Sequence, residues 1–210
     1  MPWVNQVPGI VQGWFLGTEG GNALASVLVG DVNPSGKLTF TFPVKLEDNG
    51  AHALGEFPGG KDVDYNEGIF VGYRWAEAKK IKPLFPFGHG LSYTTFKYSN
   101  LKINKSSFAK GETVKVSVTV SNTGKYDGKE VVQLYIRDLV GSLARPVKEL
   151  KGFELVNLKK GESKTIDFTL TEAELGFFDN EGNFLVESGT FKLFVGTSSA
   201  EVLESEFELK

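Results

Sequence analysis

The 210 residues contain no cysteine, which excludes a disulfide framework and a thiolate metal site. Because cytosolic, periplasmic and exported proteins all tolerate that absence, the compartment stays open. Histidine is limited to His52 and His89. No stretch is long and apolar enough to cross a bilayer, and the opening MPWVNQVPGIVQGWF lacks a basic n-region and an unbroken apolar run. The residues given therefore predict a soluble chain without an export signal. Excess positive charge is missing too: 23 Lys and Arg stand against 26 Asp and Glu, so no basic field awaits a nucleic-acid backbone. Neither nucleic acid nor a membrane is an expected partner. The glycine-rich run from Gly17 to Gly21 lacks G-x-G-x-x-G or Walker spacing and offers no lysine, so it reads as a tight turn rather than a phosphate cradle.

What is present divides the chain. A polypeptide of this length holds one or two domains and buries a real core. From Phe96 onward, apolar residues recur with period two: Val114, Val116, Val118 and Val120; Val132, Leu134 and Ile136; Ile166, Phe168 and Leu170; Phe191, Leu193 and Val195. Turn residues at Asn122 to Gly124, Asp127 and Gly128, Lys160 to Glu162, and Asn180 to Gly182 separate them. This spacing predicts roughly seven antiparallel strands in a two-sheet, mainly β sandwich. A single helical turn is expected at Thr171 to Leu175.

The earlier half is less regular. Residues 9 to 42 predict strand, turn, helix, turn, strand, with the helix running from Ala23 to Val29, ending at Gly30, and the last strand carrying Leu38, Phe40 and Phe42. One helix and two strands do not bury both faces of a sheet, so this piece is expected to be the remnant of a larger α/β domain. Residues 44 to 63 predict a surface loop. Between Asp64 and Phe96, Ile69, Val71 and Tyr73 alternate with Phe70, Gly72 and Arg74, which predicts a strand covered on both faces. Pro83, Pro86, Gly88 and Gly90 then punctuate an aromatic run unlike a flexible tether. Such a stretch reads as a docking seam.

EGIFVGYRW (67 to 75) followed by PLFPFGHGLSYTTF (83 to 96) closely resembles the segment of family 3 glycoside hydrolases that leads into their fibronectin type III-like domain. GWFLGTEGGNALASVLVGDVNPSGKLTFTFP (13 to 43) resembles the end of that family's α/β sandwich domain, and NTGKYDGKEVVQLYIRD with RPVKELKGF (122 to 153) resembles its fibronectin-like domain. The expected organisation is thus an α/β remnant at 1–44, a loop and docking segment at 45–95, and a fibronectin type III-like sandwich at 96–210. The resemblance implies a β-glucosidase or β-xylosidase relative whose nucleophilic aspartate and acid/base glutamate both lie upstream of Met1. No position here matches either motif, so no catalytic residue is expected in this chain, and no cofactor or metal.

The polar candidates divide between chemistry and scaffold. Glu19 sits in a glycine-rich turn beside Trp14, yet a helix N-terminus favours its ionised form, which makes a poor general acid. Asp62, Asp64 and Glu67 cluster in sequence without evidence of a shared centre, and they read as solvated charges rather than metal ligands. His89 reads as a hydrogen-bonded structural group, because no nucleophile is evident nearby. Trp3, Trp14, Trp75 and Tyr65 have rings able to stack on a sugar face. If part of the chain borders a glycoside pocket, the candidates are Trp14, Glu19 and Tyr65. Arg74 is expected to pair with an acid across a domain seam.

Two functions compete at this level. One is the C-terminal portion of a β-glucosidase that supplies packing and stability and meets its β-glycoside only through upstream domains. The other is a non-catalytic carbohydrate- or protein-binding sandwich. Residues 9 to 43 and 64 to 96 favour the first, since a freestanding sandwich has no use for them. Self-association through 64–96 is expected where that seam lacks a partner.

Overall fold

In the computed structural model, which describes residues 1–210, each alternating apolar run beyond Phe96 is a strand. These are β1 (Phe96–Ile103), β2 (Ser107–Phe108), β3 (Val114–Asn122), β4 (Gly128–Asp138), β5 (Glu149–Leu158), β6 (Ser163–Leu170), β7 (Phe177–Phe178), β8 (Phe184–Leu185), β9 (Gly189–Gly196) and β10 (Val202–Leu209). Sheet order is β1-β3-β6 in one layer and β2-β10-β9-β4-β5 in the other, with β7-β8 as a separate hairpin. Every pairing is antiparallel except the short parallel contact of β2 with β10. The two inner faces meet through Val114, Val116, Val118 and Val120 on β3 and Val132, Leu134 and Ile136 on β4, joined by Ile166, Leu170, Phe191, Leu193, Val195 and Phe207. Each alternate side chain points inward because successive Cβ atoms of a strand point to opposite faces. The expected helical turn forms as α1 (Glu172–Leu175), where the Thr171 hydroxyl accepts from Ala173 N and the Glu174 carboxylate accepts from Thr171 N.

Before the sandwich lie α2 (Gly20–Val29), α3 (Gly50–Ala53) and α4 (Tyr73–Lys79), with 3-10 turns at Val4–Gln6 and Leu46–Asp48. Helix α2 ends at Gly30, whose φ of 87° lets its N–H reach back to Val27 O. Other expectations for this half are corrected. Residues 10 to 15 form no strand, and residues 38 to 42 make only one isolated bridge, Phe42 to Phe85. Their neighbour, 84 to 89, contains Pro86 and a left-handed Gly88, so a regular ladder is not available. The 44 to 63 loop holds α3 and the second 3-10 turn.

The stretch Ile69 to Trp75 is not a doubly covered strand. It is a turn followed by α4, framed by positive φ at Gly72 (62°) and Lys80 (55°). The run of Ala76, Glu77, Ala78 and Lys79 favours helix, and this local preference overrides a short alternation. The strand covered on both faces is β4. Its residues Val132, Leu134 and Ile136 enter the core, while Gln133 and Tyr135 face the opposite way and are buried under the Tyr73 to Gly88 region. Phe85 and Phe87, in the docking segment, are partly buried within this chain: Phe87 stacks on Tyr73 with centroids 4.6 Å apart, and Phe85 lies 5.4 Å from His89.

Candidate functional site

Two regions concentrate chemistry-bearing side chains: the seam between the early segment and the sandwich, and the face made by residues 7 to 32. The seam is built from polar groups that the sandwich buries. Lys37 follows the Asn33 to Gly36 turn and inserts its ammonium between the two parts. It donates to Gly90 O at 3.1 Å and Thr197 Oγ1 at 2.9 Å and pairs with Glu130 Oε2 at 3.0 Å. Tyr98 Oη donates to Glu130 Oε1 at 2.9 Å, and burial, reinforced by the Glu130 charge, pushes its hydroxyl above the ordinary tyrosine range. Tyr98 therefore stays a donor to the carboxylate.

A second set of contacts fixes the 87 to 89 backbone. Gln133 Nε2 donates to Gly88 O at 3.1 Å and Thr197 O at 2.6 Å, and Ser199 N donates to Phe87 O at 2.9 Å. Gly88 is required twice over: its φ is 79°, and a Cβ there would clash with Gln133 Oε1. Helix α4 is held by Lys148, which reaches Glu77 Oε1 at 3.3 Å and donates to Ser199 O at 2.7 Å. Arg74 pairs with Glu149 at 3.6 Å, the expected bond across the seam, and Glu149 also receives Arg145 and Lys151. One carboxylate thus gathers three cations at the edge of β5.

Beside Lys37 and Glu130 opens a cleft of about 570 Å³, lined by His89, Ser92, Thr94, Tyr98, Glu130 and Glu201 among others. Its inner polar groups already serve the scaffold: Ser92 Oγ donates to Asn33 Oδ1 at 2.8 Å and Thr94 Oγ1 to Asn122 Oδ1 at 2.7 Å. His89 sits at its edge, and burial lowers the imidazole pKa despite the opposing pull of Glu201.

Of the sequence candidates, Trp14 and Glu19 lie in the other region and Tyr65 outside both. Trp14 lies in an irregular loop with φ at 53°, its indole edge-on to Phe40 at 5.1 Å and 46% of its surface exposed. Glu19 caps α2: its backbone carbonyl accepts from Ala23 N at 2.9 Å and its carboxylate accepts from Asn22 Nδ2 at 2.6 Å. Tyr65 is 82% exposed in the turn before α4. No hydrogen bond or ring contact joins Tyr65 to Trp14 or Glu19. Glu67 turns toward Gly50 and Trp75, while Asp62 and Asp64 stay exposed, so these three acids do not converge. His52 lies against Phe57 at 4.8 Å with its Nδ1 buried and unpartnered.

Lys37, Glu130 and Gln133 were not candidates by sequence. A signal existed for Glu130, which occupies an inward phase of the Val132, Leu134, Ile136 alternation; a charge there needs a buried partner. That partner is 93 residues away in the chain, and no local pattern names it.

Comparison with known proteins covers both regions. Residues 1–93 match the glycosyl hydrolase family 3 C-terminal domain, and residues 130–199 match the fibronectin type III-like domain. The chain is 50% identical over 206 residues to the β-glucosidase BoGH3A of Bacteroides ovatus, which spans 96% of this chain and 28% of that protein. It is 48% identical over 208 residues to the thermostable β-glucosidase B of Acetivibrio thermocellus, covering 98% of this chain and 27% of the relative. Among solved structures, the β-glucosidase of Kluyveromyces marxianus in complex with glucose superposes with a TM-score of 0.88 at 44% identity, over 100% of this chain and 25% of that one. The β-glucosidase 3B of Thermotoga neapolitana in complex with glycerol gives 0.87 at 38% identity, over 99% and 29%. The chain spans under a third of the length of the relatives it matches.

Proposed function

Because this chain belongs to the C-terminal part of glycosyl hydrolase family 3, we propose that it works as that portion of a β-glucosidase, packing against and stabilising a catalytic region that hydrolyses O-glycosyl bonds. Under this reading residues 1–44 complete an α/β sandwich domain, 45–95 dock it, and 96–210 are the fibronectin type III-like domain. A retaining glycosidase needs two carboxyl groups roughly 5 Å apart across the scissile bond. Glu130 is locked to Lys37 and Tyr98, and the Glu19 carboxylate is exposed with only Asn22 as a partner, so no second carboxyl group faces either of them.

The observation that carries this reading is a contrast in burial. Among residues 1 to 72 only Gly20 and Gly50 are buried, whereas the sandwich encloses a core cluster of 18 residues. Val11, Trp14, Phe15, Leu16, Leu28, Val29 and Val32 all stand exposed on the early segment. An apolar surface of that kind is a packing face. The sandwich is tied to the segment before it through Lys37–Glu130, Gln133 to Gly88 and Lys148 to Glu77, and leaves this face exposed. We assign its other side to the upstream part of the same α/β domain. Trp14 and Glu19 lie in that segment and Tyr65 is exposed in the turn before α4, and these are the residues of this chain proposed to border the β-glycoside.

The test is a chimera in which this chain replaces the matching C-terminal region of the Bacteroides ovatus β-glucosidase. Hydrolysis of an aryl β-glucoside within tenfold of the parent supports the reading. A folded but inactive chimera would count against it.

A further inference from the structure

A continuous file of rings runs from the Trp14 loop toward the sandwich. Trp14 meets Phe40 edge-on at 5.1 Å, Phe40 stacks on Phe42 at 4.6 Å, Phe42 meets Phe85 edge-on at 6.1 Å, and Phe85 stacks on His89 at 5.4 Å. All four separations fall in the range of favourable aromatic pairs. The backbones beneath are tied together. Leu38 N donates to His89 O and Gly88 N to Leu38 O, each at 2.8 Å, and Phe42 N donates to Phe85 O at 2.8 Å. The far end is fastened to the sandwich by Gln133 and Ser199 on residues 87 and 88, and by Lys37, one residue before Leu38, on Glu130 and Thr197.

The near end explains why such a file is needed. Trp14 has φ at 53°, a left-handed conformation unfavourable for a bulky residue and kept only where the surroundings over-determine it. Of its neighbours, Phe15 is fully exposed and Leu16 turns back onto Gly13 and Gly20, away from the indole's ring partner. Phe40 is the one ring in contact with the indole.

We propose that Phe40, Phe42, Phe85 and His89 are positioning residues through which the fibronectin-like sandwich sets the orientation of Trp14 toward the β-glycoside. The proposal rests on the reading of Trp14 as a residue bordering that substrate, and the two are separable by experiment. Loss of a ring inside the file lets the Trp14 loop relax from its left-handed turn. Loss of the Lys37–Glu130 anchor shifts the file as a unit.

The chain is labelled with 5-fluorotryptophan, and the Trp14 fluorine resonance is assigned by its disappearance in Trp14→Phe. Phe85→Leu and Glu130→Gln are expected to shift or broaden that line while the protein stays folded by circular dichroism. Phe85→Tyr, which keeps the ring, should restore it, and Phe178→Leu, whose ring packs on Phe184 away from the file, should leave it unmoved. A Trp14 line unchanged in both Phe85→Leu and Phe42→Leu overturns the proposal. In the Bacteroides ovatus chimera, Phe85→Leu should raise KM roughly three- to tenfold with a smaller change in kcat. A shifted Trp14 line with unaltered KM would keep the file and overturn the substrate role of Trp14.

Discussion

Lys37 and Glu130 meet at 3.0 Å with 10% and 4% of their side chains exposed, one from the segment before the sandwich and the other from β4 inside it. The pair is a joint between the two family-matched pieces of the chain. Removing water from both charges cancels much of their attraction, so the bridge itself adds little net stability, but removing one partner strands the other in the interior. Lys37→Met is therefore expected to cost about 3–5 kcal/mol. Lys37→Met with Glu130→Gln should cost clearly less than the two single losses added, because the stranded charge is gone. Urea unfolding measures this, and strictly additive losses would show that the two groups do not interact.

The burial contrast sets a second expectation. Leu134 is fully enclosed between the sheets, so Leu134→Ala should lose about 2–5 kcal/mol. Phe15→Ala removes a larger side chain that touches solvent, and it should change stability by no more than about 0.5 kcal/mol. Equal losses at the two positions would mean that the early segment has a core of its own.

Titration of His89 gives a pH signature. Burial is the main cause of its lowered pKa; Glu201 opposes that shift and Lys37 adds to it. A base whose folded pKa lies below the unfolded value of 6.5 binds its proton more readily when unfolded. Its stabilising contribution is full above that value and is lost as pH falls through the folded pKa. Unfolding free energy should therefore decline below about pH 6.5 more steeply in the native chain than in His89→Phe, with carboxylate titrations common to both. Parallel profiles from pH 7 down to 5 would contradict this.

The sandwich was legible because period-two alternation and turn residues are local signals. Val114 to Val120 and Val132 to Ile136 announce both inner faces, and Thr171 with Glu174 announces the short helix between β6 and β7. The early segment was less legible for a physical reason: it lacks a core of its own, so its local sequence answers to contacts that do not lie along it. Leu38, Phe40 and Phe42 alternate like a strand, yet Pro86 and Gly88 deny them a ladder. Ile69 to Arg74 alternates too, but Gly72 and the alanines that follow close a helix over Tyr73–Lys79. Arg74 was readable as a seam cation, whereas Lys37, Glu130 and Gln133 meet only through tertiary structure. Trp14, Glu19 and Tyr65 were readable as residue types suited to a sugar pocket, and the structure leaves all three on the surface.

The exposed face adds a second surface for association beside the exposed Ile69, Val71 and Leu91 of the 64–96 segment. Phe85 and Phe87 are packed within the chain, so Phe85→Ser should destabilise it. Phe15, Leu28 and Val29 are open to solvent. Burying a few hundred Å² of such surface is worth several kcal/mol at about 25 cal/mol per Å², before association costs. Light scattering should show the native chain associating with concentration, and Phe15→Ser with Val29→Ser should lower the apparent mass. An unchanged mass in the double variant would move the association surface elsewhere.

The most direct measurement mixes this chain with the separately purified upstream portion of the Bacteroides ovatus β-glucosidase and follows release of p-nitrophenol from its β-glucoside. The chain alone should give no turnover, the upstream portion alone little, and the mixture a rate that saturates with added chain and falls when Phe15→Ser and Leu16→Ser are introduced. Turnover by the chain alone that vanishes in Glu19→Gln would contradict the account, and so would an upstream portion fully active without this chain.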